Sequence, residues 1–220
     1  MDCLSRSFYA QPTEEVAKKL IGKKLVRVLE KTRPPKILSG LIVESEAYGS
    51  ANDEASHAYN GSTERNSIMF GEVGRVYVYL SYGNHFCFNV TARSIDRSAG
   101  AVLIRAIQPL EGLFTMMKFR KTDDPYLVAS GPGRLTQALN INLTSNGLDV
   151  TVSETLHIEN GITPPVILGS SRVGISRGLN KQWRYVFAYW DGNKNLPYAS
   201  RYASKWRGTF AVVSLNTWNS

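Results

Sequence analysis

Between Val76 and Val90 the chain alternates apolar and polar side chains on either side of one glycine. Val76, Val78 and Leu80 interleave with Tyr77, Tyr79 and Ser81, and Phe86, Phe88 and Val90 interleave with Cys87, Asn89 and Thr91. A period of two places the two sets on opposite faces of a strand. The pattern therefore predicts a hairpin turning through Tyr82-Gly83-Asn84-His85, with Tyr82 at its tip. Tyr79 and Asn89 fall on the non-aliphatic faces, where they can line one pocket, whereas a tyrosine at a tip has no core to fill. Taken alone, the stretch is also compatible with an ordinary aromatic hairpin that covers a core.

Upstream, Val16, Ala17, Leu20 and Ile21 recur at helical spacing. Thr13 is a suitable N-cap, Glu14 and Glu15 suit the positive helix end, and Gly22 is a stop. A helix from Glu14 to about Ile21 is expected. Lys24 to Leu29 and Ile37 to Tyr48 read as a long strand pair across the Arg33-Pro34-Pro35-Lys36 loop. Residues 49–70 are polar and turn-rich, and loops of that length in compact domains are functional or disordered. Gly100 to Ile107 reads as a buried strand with one anomaly, Arg105, which needs a carboxylate, a phosphate or water as partner. Glu111 to Arg120, with Leu113, Phe114 and Met117 as its apolar face, and Gly133 to Leu139 read as short helices, the second opened by Ser130-Gly-Pro-Gly-Arg134. Val166 to Ile175 and Trp183 to Tyr189 are expected strands. No repeat or low-complexity tract interrupts the pattern. The expected fold is α+β: a single domain over 1–220 with a curved, mostly antiparallel sheet, a protruding β-hairpin and short flanking helices.

The composition, 43% hydrophobic and 20% charged over 220 residues, supplies a core and excludes wholesale disorder. No apolar run approaches the roughly 18 residues of a membrane helix, and the N-terminus lacks a signal-peptide apolar region. An intracellular protein with no membrane partner is expected. Cys3, Cys87 and three scattered histidines make neither a disulfide framework nor a metal-ligand spacing, so no metal and no cofactor are expected. Sequons at Asn60, Asn89 and Asn142 carry no weight without other signs of secretion. The net charge of +8, with a pI near 9.5, points toward phosphate polyanions and hence nucleic acid.

In Leu41-Ile-Val-Glu-Ser-Glu-Ala-Tyr48, strand geometry points Glu44, Glu46 and Tyr48 to one face. Two acids on a strand are ordinarily a solvated face. Here they follow an apolar run and precede the polar loop, so Glu46 is placed to take a proton from water, with Arg105 as its counter-charge. An aromatic tip, an aromatic pocket wall, a water-activating acid and a basic surface together suit chemistry on a DNA base. Such a base must leave the duplex to be reached, and the gap it leaves must be filled.

At these residues the sequence closely resembles the alkyladenine (3-methyladenine) DNA glycosylase family. The matching segments are Gly40 to Tyr48, Asp53-Glu-Ala-Ser-His57, Thr63-Glu-Arg-Asn66, Met69-Phe70, Val76 to Asn89, Ala101 to Pro109, and Ser130 to Leu139, in order within a span from about Ala17 to about Tyr189. The resemblance implies a fold similar to the C-terminal domain of formyltransferases. It implies Glu46 as the general base that activates water, Arg105 as a residue that helps hold that water, and Tyr48 and Tyr79 as stacking walls. It further implies His57 as a contact to the extruded purine, Asn89 as the floor residue that crowds the 2-amino group of guanine, and Tyr82 as the wedge that intercalates into DNA.

The implied substrate is double-stranded DNA with a damaged purine of the 3-methyladenine, 7-methylguanine, hypoxanthine or ethenoadenine class, and the product is an abasic site. Purines alkylated at N3 or N7 are cationic and leave readily, so binding between electron-rich rings and a supply of water suffice. Neutral hypoxanthine needs more help, and the transition state has oxocarbenium character that a carboxylate stabilises. No lysine stands in the matched motifs, so monofunctional hydrolysis without a Schiff base is expected. A hairpin wedge needs one copy, so a monomer is expected. Three features depart from the family: Asn84 stands where a methionine is frequent, Tyr48-Gly-Ser lacks a bulky residue after the tyrosine, and the tail 208–220 has no placeable counterpart. The alternative is a catalytically inert nucleic-acid-binding module of related fold, against which Glu46 and Arg105 argue.

Overall fold

The computed structural model describes the chain apart from residues 1, 31, 82, 192–195, 205–210 and 216–220. Its strands are β1 (Lys24–Leu29), β2 (Lys36–Tyr48), β3 (Val76–Ser81), β4 (His85–Thr91), β5 (Ala101–Glu111), β6 (Leu156–Glu159), β7 (Val166–Ser170), β8 (Arg184–Asp191), β9 (Leu196–Ala199) and β10 (Ala211–Leu215). The helices are α1 (Arg6–Tyr9), α2 (Thr13–Leu20), α3 (Leu113–Arg120) and α4 (Pro132–Ala138). One sheet runs β10-β7-β8-β2-β5-β4-β3, with β1 and then β6 branching from β2, and β9 from β8. Its pairings are antiparallel. This is the α+β architecture that the alternation patterns predict.

β2 is the axis. It is buried from Leu38 to Ala47 because it pairs with β1, β5 and β8 along its length while α2 packs across it. Its register against β5 slips twice at the same place. Ile42 faces Ile107 and Glu44 faces Ala106, which leaves Val43 as an extra residue on β2. Ser45 then faces Ile104, which leaves Arg105 as the extra residue on β5. Bulges of this kind re-aim side chains and sharpen the local twist, and here they turn Glu44, Glu46 and Arg105 toward one another.

One apolar cluster joins Val16, Ala17 and Leu20 of α2, Ile42 and Ala47 of β2, Phe88 of β4, Ile104 of β5 and Leu135 and Ala138 of α4. Each large aliphatic or aromatic side chain buried there stabilises the fold by about 1.5–3 kcal/mol relative to exposure. A smaller cluster of Ala58, Met69, Tyr77, Ala99 and Ala101 underlies the base of the hairpin.

Some expectations need correction. Thr13 does not cap α2 from outside. It is the first helical residue, fully buried, and its hydroxyl donates to the Ala92 carbonyl at 2.8 Å, so tertiary contact wins over local capping. In α3, Leu113 and Met117 pack on the core as expected, but Phe114 is 86% exposed and Met116 is the buried residue instead. Residues 49–70 form a succession of turns fastened by two buried polar side chains. Asp53 accepts the Gly49 N–H at 2.8 Å, and Asn66 donates to the carbonyls of His57 at 2.7 Å and Gly61 at 3.0 Å. In the expected tail, residues 211–215 form β10 on the edge of β7. The expected strand Val166 to Ile175 stops at Ser170, and β6 was not anticipated.

The hairpin β3–β4 emerges from the body. Val76, Tyr77 and Val78 are buried, while Leu80 is 44% exposed, so the aliphatic stripe runs out of core before the tip. Ser81 pairs with His85, so the loop is one residue shorter than expected, with Gly83 in the left-handed region at φ 74°. Helix α4 braces it: Thr136 Oγ1 donates to the Phe86 carbonyl at 3.0 Å, and a Cβ on Gly133 would stand 2.9 Å from His85 Cβ.

Candidate active site

The site lies where the bulged crossing of β2 and β5 meets the turns of residues 49–70. Glu44 is wholly buried. Its carboxylate accepts from Arg105 Nε at 2.7 Å, Arg184 Nε at 2.8 Å, the Ser204 backbone N–H at 2.6 Å and Ser204 Oγ at 2.7 Å. Burial alone would raise this acid, but Arg105, Arg184 and Ser204 outweigh it and hold the carboxyl below the usual carboxylate range. Glu44 is therefore a fixed anion that orients Arg105.

Glu46 is also wholly buried. Its Oε2 accepts from Tyr48 Oη at 2.8 Å and Arg105 Nη1 at 3.2 Å, and its Oε1 from the Val173 N–H at 2.7 Å. Burial works against the Arg105 charge, yet Glu46 and Glu44 reverse that effect and raise its pKa, so the guanidinium is a permanent cation. Burial, reinforced by the Glu46 carboxylate, pushes the Tyr48 phenol well above its ordinary value and keeps it a proton donor.

A cavity of about 520 Å³ opens beside this cluster, within the range that accommodates a small organic group. Tyr48, His57, Tyr79, Asn89 and Arg105 all line it, so the structure brings together the expected site residues around one space. Glu46 is the exception, lying directly behind Tyr48, Arg105 and Val173, three lining residues that each bond to it. The remaining expected residue, Tyr82, falls outside the described residues; its neighbour Ser81 lines the cavity.

The hairpin faces the cavity with the polar side of its alternation. Asn89, 3% exposed, donates through Nδ2 to the carbonyls of Tyr77 at 2.9 Å and Cys87 at 3.4 Å, so the nitrogen end of the amide is committed to the hairpin backbone. His57 Nδ1 lies 2.9 Å from Tyr77 Oη, and its ring meets the Tyr79 ring edge-on at 4.5 Å. Partial burial, then the Arg65 charge, lower the His57 pKa, which makes the imidazole neutral at pH 7. Burial pushes the Tyr77 phenol up to about 12.

Several residues at the site were not anticipated. Arg172 is buried and donates to both oxygens of Asp53 at 2.6 Å and to the Ala47 carbonyl at 2.9 Å, with its guanidinium 4.7 Å from the Tyr48 ring centre. It thereby ties the turns of residues 49–70 to the segment whose next residue, Val173, holds Glu46. Arg184 and Ser204 complete the Glu44 clamp. For Arg184 a signal existed: an arginine within Trp183-Arg-Tyr-Val-Phe-Ala is the same anomaly as Arg105 within its apolar strand.

A family profile described as methylpurine-DNA glycosylase matches residues 7–190. A protein of Chlorobium phaeobacteroides named "Putative 3-methyladenine DNA glycosylase" is 44% identical over 186 residues, covering 84% of this chain and 92% of the relative. Relatives of the same name in Prosthecochloris aestuarii and Methanocella arvoryzae are 45% and 41% identical, covering 81% and 92% of this chain and 85% and 98% of their own length.

Proposed function

The chain belongs to the methylpurine-DNA glycosylase family, and on that premise we propose that it flips a damaged purine out of duplex DNA into the 520 Å³ cavity and hydrolyses its N-glycosidic bond. The substrates in this reading are alkylated or deaminated purines of the 3-methyladenine, 7-methylguanine, hypoxanthine and ethenoadenine class. The observation that carries it is the convergence of Tyr48, Arg105 and Val173 on Glu46, each also facing the cavity.

The purine stacks between Tyr48 and Tyr79, His57 touches its edge, and Asn89 crowds the 2-amino group of guanine, so undamaged guanine is rejected by steric contact. Tyr82, at the hairpin end, fills the gap left in the duplex. Glu46 acts as general base on a water admitted between Tyr48, Arg105 and Val173. In this reading the carboxylate also opposes the positive charge that develops on the sugar. The described residues lining the cavity include no lysine, which supports hydrolysis to an abasic site without strand cleavage. One copy of the chain suffices for this chemistry. No described helix is long and apolar enough to cross a membrane, and the protein acts where the cell keeps its DNA.

The test is incubation with duplexes bearing each of the four lesions, followed by alkaline cleavage at abasic sites. Strand breaks at the lesion are expected. Four intact duplexes would leave the inert binding module as the better reading.

A further inference from the structure

Both rings assigned to stack on the purine carry a guanidinium. Arg172 sits 4.7 Å from the Tyr48 ring centre, and Arg65 sits 5.3 Å from that of Tyr79. The two cations differ in what surrounds them. Arg172 is buried and paired through two bonds with Asp53, just as Glu44 and Glu46 are matched by Arg105 and Arg184. Arg65 is exposed, lines the cavity itself, donates a long 3.4 Å bond to the Leu80 carbonyl and reaches the Tyr77 hydroxyl; no carboxylate among the described residues pairs with it. It is thus the charge left over at the mouth.

We propose that Arg65 is a specificity-determining residue that biases the cavity toward neutral damaged purines and against cationic ones. The inference rests on the stacking role assigned above to Tyr79. A bare aromatic sandwich favours a cationic purine through the ring quadrupoles. A guanidinium over one of those rings already uses that attraction, and as a like charge beside the base it repels a purine alkylated at N3 or N7. A neutral base such as hypoxanthine or ethenoadenine feels neither effect and gains a planar cation to pack against. The neighbourhood agrees with this reading, since His57 is held neutral beside the same arginine and adds no second positive charge.

The experiment measures single-turnover release from duplexes carrying hypoxanthine or ethenoadenine (neutral) and 3-methyladenine or 7-methylguanine (cationic), for wild type, Arg65→Gln and Arg65→Lys. Comparing each lesion with itself across the proteins removes its intrinsic reactivity. Arg65→Gln is expected to raise the cationic-to-neutral rate ratio by about three- to tenfold, a size set by partial solvent screening at the rim. Arg65→Lys, which keeps the charge but not the planar guanidinium, should move the ratio in the same direction by less than Arg65→Gln. An active wild type whose ratio is unmoved in Arg65→Gln would overturn this inference alone. So would an equal loss on all four lesions together with a salt-dependence slope smaller by about one, the signature of a phosphate contact. A wild type that releases none of the four bases would overturn the glycosylase reading and this inference with it.

Discussion

Replacing Glu44 by Gln probes the clamp on which the site is built. The carboxylate is fully buried and accepts four hydrogen bonds, two of them from the buried guanidinium groups of Arg105 and Arg184. Glutamine keeps the volume but removes the charge, and its amide nitrogen must face donors. Breaking a buried ion pair from one side costs about 3–5 kcal/mol, because the partner charge is left uncompensated. Arg105 retains Glu46, which favours the lower half of that range. For a domain of this size about 3 kcal/mol corresponds to a fall in Tm of about 6–12 °C. The assay is urea and thermal unfolding of both proteins between pH 3 and 7.

The pH arm has a definite sign. Glu44 is held below its unfolded value, so its contribution is complete above about pH 4.3 and is lost as pH falls through the depressed folded value. The Glu44→Gln protein should therefore lose less stability than wild type on acidification below about pH 4.3. A destabilisation under about 1 kcal/mol at pH 7, or parallel acid limbs for the two proteins, would refute the clamp.

Other perturbations test the remaining parts. Tyr48→Phe keeps the stacking ring and removes the 2.8 Å bond to Glu46, so single-turnover release should fall about tenfold while affinity for abasic duplex holds; equal loss of both would place the hydroxyl in binding instead. Gly133→Ala drives a methyl against His85 Cβ and should shift the hairpin, costing about 1 kcal/mol or more in stability and weakening abasic-duplex binding, read by melting and fluorescence anisotropy. Unchanged binding would mean that α4 does not set the hairpin. Tyr82→Ala should weaken damage-specific binding by at most a few kcal/mol, the scale of unstacking one base; an affinity equal to wild type on abasic duplex would remove Tyr82 from the wedge role.

The legible parts of the fold were those governed by short-range pattern. Alternation located β3 and β4, apolar runs bounded by turns located β1, β2 and β5, and the aromatic hairpin placed Tyr79 and Asn89 on the cavity side. Arg105 was legible as an anomaly, since a charge in an apolar strand demands a partner. Its partners prove to be Glu44 and Glu46. What pattern does not encode is pairing across long separations. Glu44 meets Arg184 across 140 positions and Ser204 across 160, and Asp53 meets Arg172 across 119. Thr13 shows the same limit locally: its preference for capping yields to a carbonyl that only the folded chain brings near. Nor does the spacing of Glu44 and Glu46 say which acid faces the cavity. The structure assigns Glu44 to holding arginines and sets Glu46 one layer behind the wall.

Whether Glu46 activates the attacking water is decided by single-turnover base release by Glu46→Gln beside its affinity for the same lesion duplex. Binding should stay within a few-fold of wild type while release falls by about two orders of magnitude or more, the scale of general-base catalysis. Release at the wild-type rate would contradict it, and so would a loss of binding as large as the loss of release, which would make Glu46 only a strut for Tyr48 and Arg105.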